Sequence, residues 1–419
     1  MAPFGSGRSV QHHRRPRTLC NNLTIEVSGC IVSPYASAAA PNARLSSIDL
    51  LRGTVMVLML LDHVRETFFL HLQMGDPVDV ATTSPALFVG RLLAHLCAPV
   101  FVFLTGLSAW LYASRQPDGR RAASAFLFKR GLFLIVLELT LVNFAWTLEL
   151  PPQTLYLQVI WAIGLSMLAL SALLWLPRAA LVALAVAIVA GHNLLDGIRL
   201  DAGHPLHTLW AVLHQRDWLQ LGDAMRARTS YPVLPWVGVI ALGWAIGPWF
   251  ARDACPARRH GLLLRSGLGA LGGFLVLRMA NVYGDAAWTL QAETARTLMA
   301  FFNVTKYPPS LQFVLLTLGI GLLLLRLYES PALARRLQPL AALGAAPMFF
   351  YLLHIYVLRL LYLGAVALWG TNHGDLFGFD SVATLVAISV ALTLLLQPPT
   401  AAFARLKARR RDIAWLRYF

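Results

Sequence analysis

The sequence predicts an all-α, polytopic integral membrane protein with about ten transmembrane helices and both termini in the cytoplasm. Composition is the first reason: of 419 residues, 57% are hydrophobic and only 13% are charged. Soluble domains are about 45–50% apolar and about 25% charged. The second reason is that the apolar residues form runs long enough to cross a bilayer. The segments between these runs are too short to hold a large soluble domain.

Ten apolar runs account for most of the chain. They cover residues 48–69, 86–113, 127–148, 154–175, 179–196, 231–250, 262–281, 309–328, 342–369 and 381–403. Each approaches or exceeds the roughly 20 residues that a helix needs to cross the hydrocarbon layer. Proline lies at several boundaries, including Pro85, Pro151 and Pro309, where it suits a helix start and ends the preceding helix. Each run therefore predicts one transmembrane helix.

The two ends of the chain differ from this middle region. Residues 1–43 are rich in Arg, His, Ser, Pro and Ala, and their one apolar stretch is interrupted by Glu26 and Gly29. That interruption makes a poor signal-peptide core. We therefore predict a flexible cytoplasmic tail over residues 1–43, a transmembrane domain over 44–404 and a basic cytoplasmic tail over 405–419.

The net charge of +15 has two possible origins, a nucleic-acid-binding face or membrane topology. With a cytoplasmic N-terminus, most Lys and Arg residues fall in the segments that alternating helices place in the cytoplasm. This is the distribution expected of membrane proteins. The charge therefore predicts a lipid bilayer as partner and no nucleic acid.

The two longest outside loops cover residues 197–230 and 282–308. They contain amphipathic pieces such as His207 to Met225. Such pieces are expected to lie along the membrane surface as short helices or to cover a cavity.

Five residues recur on one face of the first helix, polar at its two ends and apolar in its middle, at spacings close to multiples of 3.6 residues. In order they are Asp49, Arg52, Met56, Met59 and His63. Charged side chains inside a span are costly and usually mark function. Asp49 and Arg52 suit a structural ion pair near the inner surface. Asp62 and His63, with Arg65 just beyond, lie more than a turn from the outer end, and we predict a functional role for them.

Polar residues of other helices concentrate toward the same outer half. Arg91 and His95 are four residues apart and so share one face of the second helix. Others in this half are Asn143, Glu149, Gln158, His192, Asn193, Arg278, Asn281, Lys306, Tyr307 and Ser310. This arrangement predicts a cavity that opens outward. His354 and Arg359, near the middle of the ninth helix, either pair internally or line the reaction path.

The chemistry predicted for these residues is proton or acyl transfer. An Asp beside a His can orient the ring, and the His can then remove a proton or carry an acyl group. The chain has no GxxxxGK[ST] and no HExxH motif, so ATP hydrolysis and zinc proteolysis have little support. A metal held by His63, His95 and carboxylates is weakly indicated, and no metal site is predicted.

Five segments, taken in order, resemble the heparan-alpha-glucosaminide N-acetyltransferase catalytic-domain family, in particular its bacterial membrane proteins. They are RLSSIDLLRGTVMVLMLLDHVR at 44–65, HLCAPVFVFLTGLS at 95–108, YPVLPWVG at 231–238, the segment 306–319 and the segment 344–354. The resemblance covers residues 44–404. It implies a transmembrane acyltransferase domain there.

The characterised animal member of that family moves an acetyl group from cytosolic acetyl-CoA to a glucosamine amine across a membrane. For this chain the resemblance implies acetyl-CoA or another acyl-CoA as co-substrate and no tightly bound cofactor. It also implies an amine or hydroxyl of an envelope sugar or glycan as acceptor, and a place in the bacterial cytoplasmic membrane. The oligomeric state is left open, with a homo-oligomer among the alternatives. The family's active-site histidine follows the first helix, where this chain has His71. Where the animal enzyme has Asn, this chain has His63.

The site hypothesis combines both lines of reasoning. We predict His63 as general base or acyl carrier, Asp62 as its orienting partner, and Arg91 with His95 as stabilisers of the oxyanion. The predicted catalytic residues are His63, Asp62, His71 and His95. The predicted substrate-binding residues are Arg65, Arg91, Lys306, Tyr307, His354 and Arg359, and the predicted CoA-binding residues are Arg52, Arg120, Arg121, Lys129 and Arg130. The rival hypotheses are a transporter or exporter of a small anionic solute and a non-catalytic membrane partner.

Overall fold

The computed structural model describes residues 46–410 and 412–419. The tail predicted over residues 1–43 lies outside them. Helices dominate the described chain, which confirms the mainly helical prediction. At the other end, the last helix runs on to Arg409, past the predicted domain boundary at residue 404.

Sixteen α-helices are present in the described chain. They are α1 (Ser46–Phe68), α2 (Pro85–Ala94), α3 (Cys97–Ala113), α4 (Gly119–Leu137), α5 (Asn143–Thr147), α6 (Val159–Leu173), α7 (Arg178–Gly191), α8 (His207–Leu213), α9 (Leu234–Ala245), α10 (Pro256–Ala280), α11 (Thr294–Phe302), α12 (Leu311–Leu327), α13 (Pro331–Arg336), α14 (Gln338–Ala345), α15 (Pro347–Trp369) and α16 (Val382–Arg409). A single π-helical segment, Glu138–Val142, joins α4 to α5.

Every predicted span contains a helix, but only some of these helices meet the length and hydropathy expected of a crossing. Within the described residues five do so. They are Pro85–Ala113, Arg178–Leu195, Pro256–Ala280, Pro347–Trp369 and Val382–Arg409. Three shorter apolar helices cover Val159–Leu173, Leu234–Phe250 and Leu311–Leu327. The chain is therefore an integral membrane protein. That it has ten transmembrane helices remains a prediction.

A small sheet is the main departure from the all-α prediction. Strands β1 (Thr154–Leu157), β2 (Trp218–Gln220) and β3 (Arg226–Thr229) form it in the order β1-β3-β2. β1 runs parallel to β3, and β2 runs antiparallel to it. Strand β1 falls within a predicted span, because a short apolar run suits a strand as well as a helix, whereas β2 and β3 lie in a predicted loop. The predicted span at 154–175 begins as a helix only at Val159.

The first long loop supplies two of these strands. Its predicted amphipathic piece is helical only over α8, and strands β2 and β3 follow. The second long loop contains α11. Each loop thus carries one short helix, and the first also contributes to the sheet.

Helix α1 lies at the centre of the packing and contacts α2, α3, α12, α14, α15 and α16. Its contact with α14 depends on two glycines. A Cβ at Gly53 would overlap the carbonyl of Leu340, and a Cβ at Gly344 would overlap the carbonyl of Asp49. These two backbones approach so closely that α1 is held at a fixed position and rotation. This fixes where the residues of its second half, Asp62 and His63, are presented.

Candidate active site

Two cavities meet at Asp62 and His63, in the second half of α1. The first, which we call the N-side cavity, has a volume of about 370 Å³ and follows the helix from Ile48 to His63. The second, the C-side cavity, has a volume of about 510 Å³ and extends from Asp62 past the end of the helix. The residues that line both are Asp62, His63, Val159, Tyr231 and Lys306. We call this shared wall the neck.

His63 is held at the neck by a second histidine. Its Nδ1 atom lies 2.7 Å from Nε2 of His354, and Nδ1 of His354 lies 2.7 Å from the carbonyl oxygen of Phe350. A carbonyl oxygen only accepts, so Nδ1 of His354 donates, and the lone pair of the neutral ring is on Nε2. Nδ1–H of His63 donates to that lone pair. The lone pair of His63 is therefore on Nε2, the arrangement that a general base requires.

Two aromatic rings surround the His63 imidazole. Trp146 meets it edge-on with ring centres 5.4 Å apart, and Tyr351 does so at 5.9 Å. Tyr351 lines the N-side cavity and Trp146 lines the C-side cavity. In the part of the chain that the structure describes, Nε2 of His63 has no hydrogen-bond partner. His63 thus packs against two aromatic rings and lines both cavities.

Asp62 is paired with arginine rather than with His63. Its Oδ1 accepts from Nε and Nη2 of Arg65 at 3.1 and 2.8 Å, and its Oδ2 lies 3.8 Å from Nη1 of Arg91. Arg91 also lies 3.7 Å from Oδ1 of Asp76. These four buried charges balance one another. The orientation of His63, expected from Asp62, comes instead from His354.

Asp76 in turn positions Lys306. Its Oδ2 accepts from the backbone N–H groups of Lys306 and Tyr307 at 2.9 and 2.8 Å. Burial raises the pKa of the Asp76 carboxyl, although Arg91 and these two N–H groups act in the opposite direction. The carboxyl thus holds the backbone on which Lys306 lies.

The Lys306 ammonium is itself buried, with 4% of the residue exposed. Nζ lies 5.7 Å from the ring centre of Tyr231 and 5.2 Å from that of Tyr307, within the range of a cation–π contact. Burial alone would lower the pKa of Lys306, but Tyr307, Asp62 and Glu66 raise it, and the net shift is upward. Lys306 is therefore a permanent cation at the neck.

The N-side cavity is apolar along its length and basic at the end far from His63. Met56, Met59, Phe101, Ile163 and Met348 are among its apolar lining. Four cations, Arg52, Arg115, Arg130 and Lys407, and one carboxylate, Asp49, line the other end. Arg52 donates to Ser108 and to Asp49, whereas the buried Nε of Arg130 has no hydrogen-bond partner among the described residues. A ligand with an anionic group at one end and a narrow, extended chain fits this arrangement, with the anion at the basic end of the cavity.

The C-side cavity is wider and more polar. Its lining contains four cations, Lys306, Arg216, Arg228 and Arg359. It also contains two carboxylates, those of Asp62 and Glu66. Aromatic rings of Trp146, Tyr156, Tyr231, Tyr307 and Tyr362 share the lining. Arg216 stacks over the Tyr307 ring at 4.7 Å. Aromatic faces beside cations suit a polar ligand that carries negative charge.

The predicted site residues divide into two groups by position. Those that line a cavity are Asp62, His63, Lys306, Tyr307, Arg359, Arg52 and Arg130. Three more predicted residues line neither cavity but contact residues that do. They are Arg65, Arg91 and His354.

The remaining predicted residues line neither cavity. The ring nitrogens of His95 are buried without a hydrogen-bond partner among the described residues, and its ring packs against Phe313. His71 lies in a separate cluster with His373 and Asp380. Arg120, Arg121 and Lys129 are absent from both linings, although they precede Arg130 on the same helix.

Sequence reasoning missed several residues that line the cavities. They are Arg115, Trp146, Arg216, Arg228, Tyr351 and Lys407. Only Tyr351 carried a usable signal, since it lies three residues before His354 and so on the same helix face. Lys407 was assigned to the C-terminal tail, because the apolar run ends at residue 403 whereas helix α16 continues to Arg409.

The fold and the site together define a helical integral membrane protein with a buried histidine between two cavities. The family model described as "Heparan-alpha-glucosaminide N-acetyltransferase, catalytic" matches residues 44–272. This is more than half of the chain, and the chain therefore belongs to that family, as its motifs indicate. No curated protein matches this sequence. The family suggests a membrane enzyme of the N-acetyltransferase type.

Proposed function

We propose that this protein moves an acyl group, in the first place acetyl, from acyl-CoA to an amine or hydroxyl of an envelope sugar or glycan. The observation that carries the proposal is the meeting of the two cavities at His63. A donor in one cavity and an acceptor in the other would have their reacting atoms at the same imidazole. The proximity of reactants in such a site supplies much of the rate enhancement.

The N-side cavity is the donor site. Its basic end matches the phosphates of CoA, since Arg binds phosphate through charge-assisted hydrogen bonds. Arg52 and His63 are eleven positions apart on α1, and a rise of about 1.5 Å per residue separates them by roughly 16 Å. An extended pantetheine arm has a similar length. The thioester would then reach the neck while the nucleotide stays at the basic end.

The chemical step is a direct transfer with His63 as general base. Nε2 of His63 accepts the proton of the acceptor amine or hydroxyl as its N or O attacks the thioester carbonyl. The tetrahedral intermediate collapses, the C–S bond breaks, and the sulfur of CoA takes the proton back from Nε2. Nδ1–H remains donated to His354 throughout, which stabilises the imidazolium formed in between.

Lys306 is the group that stabilises the oxyanion. It lines both cavities at the neck and carries a permanent positive charge, as the intermediate requires. Arg91 and His95, the pair expected for this role, line neither cavity. In the proposal Arg91 lies outside the cavities and balances the negative charges of Asp62 and Asp76.

The C-side cavity is the acceptor site. Its aromatic rings offer faces for a sugar, and Arg216, Arg228 and Arg359 favour an acceptor that bears a carboxylate or phosphate. The distribution of Lys and Arg along the chain favours a cytoplasmic N-side cavity and an outward-facing C-side cavity. We propose ten crossings, both termini in the cytoplasm and a location in the bacterial cytoplasmic membrane.

The test is binding and turnover of radiolabelled acetyl-CoA by detergent-purified protein. We expect saturable binding by the wild type and slow release of free thiol. His63→Ala should bind acetyl-CoA with similar affinity and release no thiol above background. A matched control is His204→Ala, which removes an exposed histidine of a loop.

Two results would contradict the proposal. One is the absence of acetyl-CoA binding in protein whose circular dichroism and size-exclusion profile show it to be folded. The other is thiol release by His63→Ala at the wild-type rate. Flux of an anionic solute through reconstituted vesicles, without any acyl transfer, would support the transporter hypothesis instead.

A further inference from the structure

A compact cluster of three metal-binding side chains lies at the end of α1. His71 follows α1 in a short 3₁₀ turn, and His373 and Asp380 belong to the loop between α15 and α16. One potential ligand atom of each lies within 4.8 Å of the others. Asp380 Oδ1 lies 3.6 Å from Nε2 of His71 and 3.3 Å from Nε2 of His373. We propose that these residues bind a divalent transition metal such as Zn²⁺.

The separations between the atoms fit a tetrahedral ion. Zn–N and Zn–O bonds of about 2.0–2.1 Å place neighbouring ligands of a tetrahedron about 3.3–3.4 Å apart. Both measured separations to Asp380 are close to this value. The two imidazoles are stacked with ring centres 3.7 Å apart, so a bound ion requires each ring to turn until its nitrogen faces the common point. Asp380 is largely exposed, which leaves the fourth position to water.

Three of the four ring nitrogens of the two histidines are unsatisfied within the described chain. Both ring nitrogens of His71 and Nε2 of His373 are buried and lack a hydrogen-bond partner among the described residues. A buried polar atom without a partner costs free energy, and a metal ion bound to one nitrogen of each ring would recover part of that cost. Imidazole with one carboxylate is a ligand set that Zn²⁺ accepts.

Hydrogen bonds order the backbone of the loop that carries His373. Asn372 donates Nδ2–H to the carbonyl of Gly378 at 2.9 Å, and its Oδ1 accepts from the N–H of Gly378 at 2.8 Å. The N–H of Phe379 donates to the carbonyl of Phe68 at 3.0 Å, which ties the loop to the end of α1. Gly378 packs so closely on the ring of His71 that a Cβ there would overlap it.

A second histidine cluster, His192, Asp196 and His214, also has buried ring nitrogens without a hydrogen-bond partner in the described residues, those of His192, but it differs at His214. Nε2 of His214 lies 3.0 Å from the carbonyl oxygen of His192. This nitrogen must therefore carry a proton, which removes its lone pair as a ligand. The contrast selects the cluster of His71 as the metal site.

Metal binding would connect the end of α1 to the loop after α15. Leu70 and Leu376, one from each segment, line the C-side cavity. The ion would thus hold one wall of that cavity in place. This role is independent of the acyl-transfer proposal and of any catalytic part for His71.

The test uses full-length protein in detergent, stripped with a chelator and titrated with Co²⁺ and Zn²⁺. We expect one equivalent of Co²⁺ to produce the visible absorption of a tetrahedral site, and Zn²⁺ to displace it. His71→Gln and His373→Gln should each weaken binding by more than the roughly 10- to 100-fold that a supporting partner contributes. Asp380→Asn changes an exposed side chain, and it keeps the test valid if either histidine variant fails to fold.

His204→Gln is the matched control and should bind as the wild type does. The proposal is overturned if folded wild type binds neither ion above the level of the double variant His71→Gln/His373→Gln. It is equally overturned if Asp380→Asn and both histidine variants keep wild-type affinity, since the ion would then be bound elsewhere.

Discussion

His63 and His354 are joined by a hydrogen bond of 2.7 Å between Nδ1 of the first and Nε2 of the second. Because His354 uses its own Nδ1–H on the carbonyl of Phe350, the direction of this bond is fixed. The pair thus sets the tautomer of the residue at the neck. Two helices far apart in the chain, α1 and α15, must both be in place for that to occur.

The first prediction concerns the two histidines separately. His63→Ala should lower kcat by roughly 10²- to 10⁴-fold, the usual contribution of a general base. His354→Ala leaves His63 in place but removes the acceptor that fixes its tautomer, so we expect a smaller loss of kcat. His354→Gln should recover part of it, since an amide oxygen can accept Nδ1–H. Single-turnover thiol release measures all three, and equal losses in both His354 variants would contradict the assigned role.

The second prediction concerns the donor site. Arg130→Ala should raise KM for acetyl-CoA roughly 10- to 100-fold, because hydrogen bonds between charged groups contribute about 1.5–3 kcal/mol. kcat should change little. Lys129→Ala is the control, since that neighbour is exposed and lines neither cavity. A similar KM for the two variants would remove Arg130 from the donor site.

The third prediction separates binding from chemistry at Lys306. Lys306→Met should lower kcat roughly 10²- to 10³-fold, as loss of an oxyanion donor does. Affinity for acetyl-CoA, measured by equilibrium binding, should stay within a few-fold of the wild type. If affinity is lost and kcat at saturation is kept, Lys306 belongs to substrate binding instead.

The fourth prediction follows from the raised pKa of Lys306. A cation with a raised pKa in the folded state keeps its contribution at low and neutral pH and loses it only when the pH rises through that pKa. The ratio of wild-type to Lys306→Met kcat should therefore be constant between about pH 6 and about pH 9, below the ordinary lysine pKa. A ratio that falls within this range would show that Lys306 titrates there.

The fifth prediction concerns the glycine contact between α1 and α14. Gly53→Ala and Gly344→Ala both place a methyl group against backbone, and overpacking of this kind costs about 1–3 kcal/mol or more. We expect a lower apparent unfolding temperature in detergent. Gly269→Ala is the control, because it lies within α10 with nothing within 4 Å of the added carbon. Equal unfolding temperatures in all three variants would mean that the helices can separate without cost.

Residues within one helix were the most predictable part of the site. The stripe from Asp49 to His63 follows from helical periodicity alone, and the structure places its members along one cavity. Hydropathy located the helices for the same reason, since each apolar run is a local property of the chain.

Contacts between distant segments were not predictable in this way. The sequence gives no measure of which residue faces His63 from another helix, so Asp62, its neighbour in the chain, was the natural choice over His354. The loop after α15 is a similar case. The resemblance made His71 a catalytic candidate, but no local pattern predicts that the ring of His373 stacks on it.

In the proposed orientation the two cavities open toward opposite sides of the membrane, and this gives the neck one further consequence. The two cavities share a wall of only a few side chains, among them Asp62, His63 and Lys306. In the proposed orientation these side chains alone insulate the cytoplasm from the exterior along this route. An acyl group can be handed over between two sites, but an ion would have to pass a fixed buried ammonium and a neutral imidazole. The residues that perform the transfer would therefore also preserve the membrane potential.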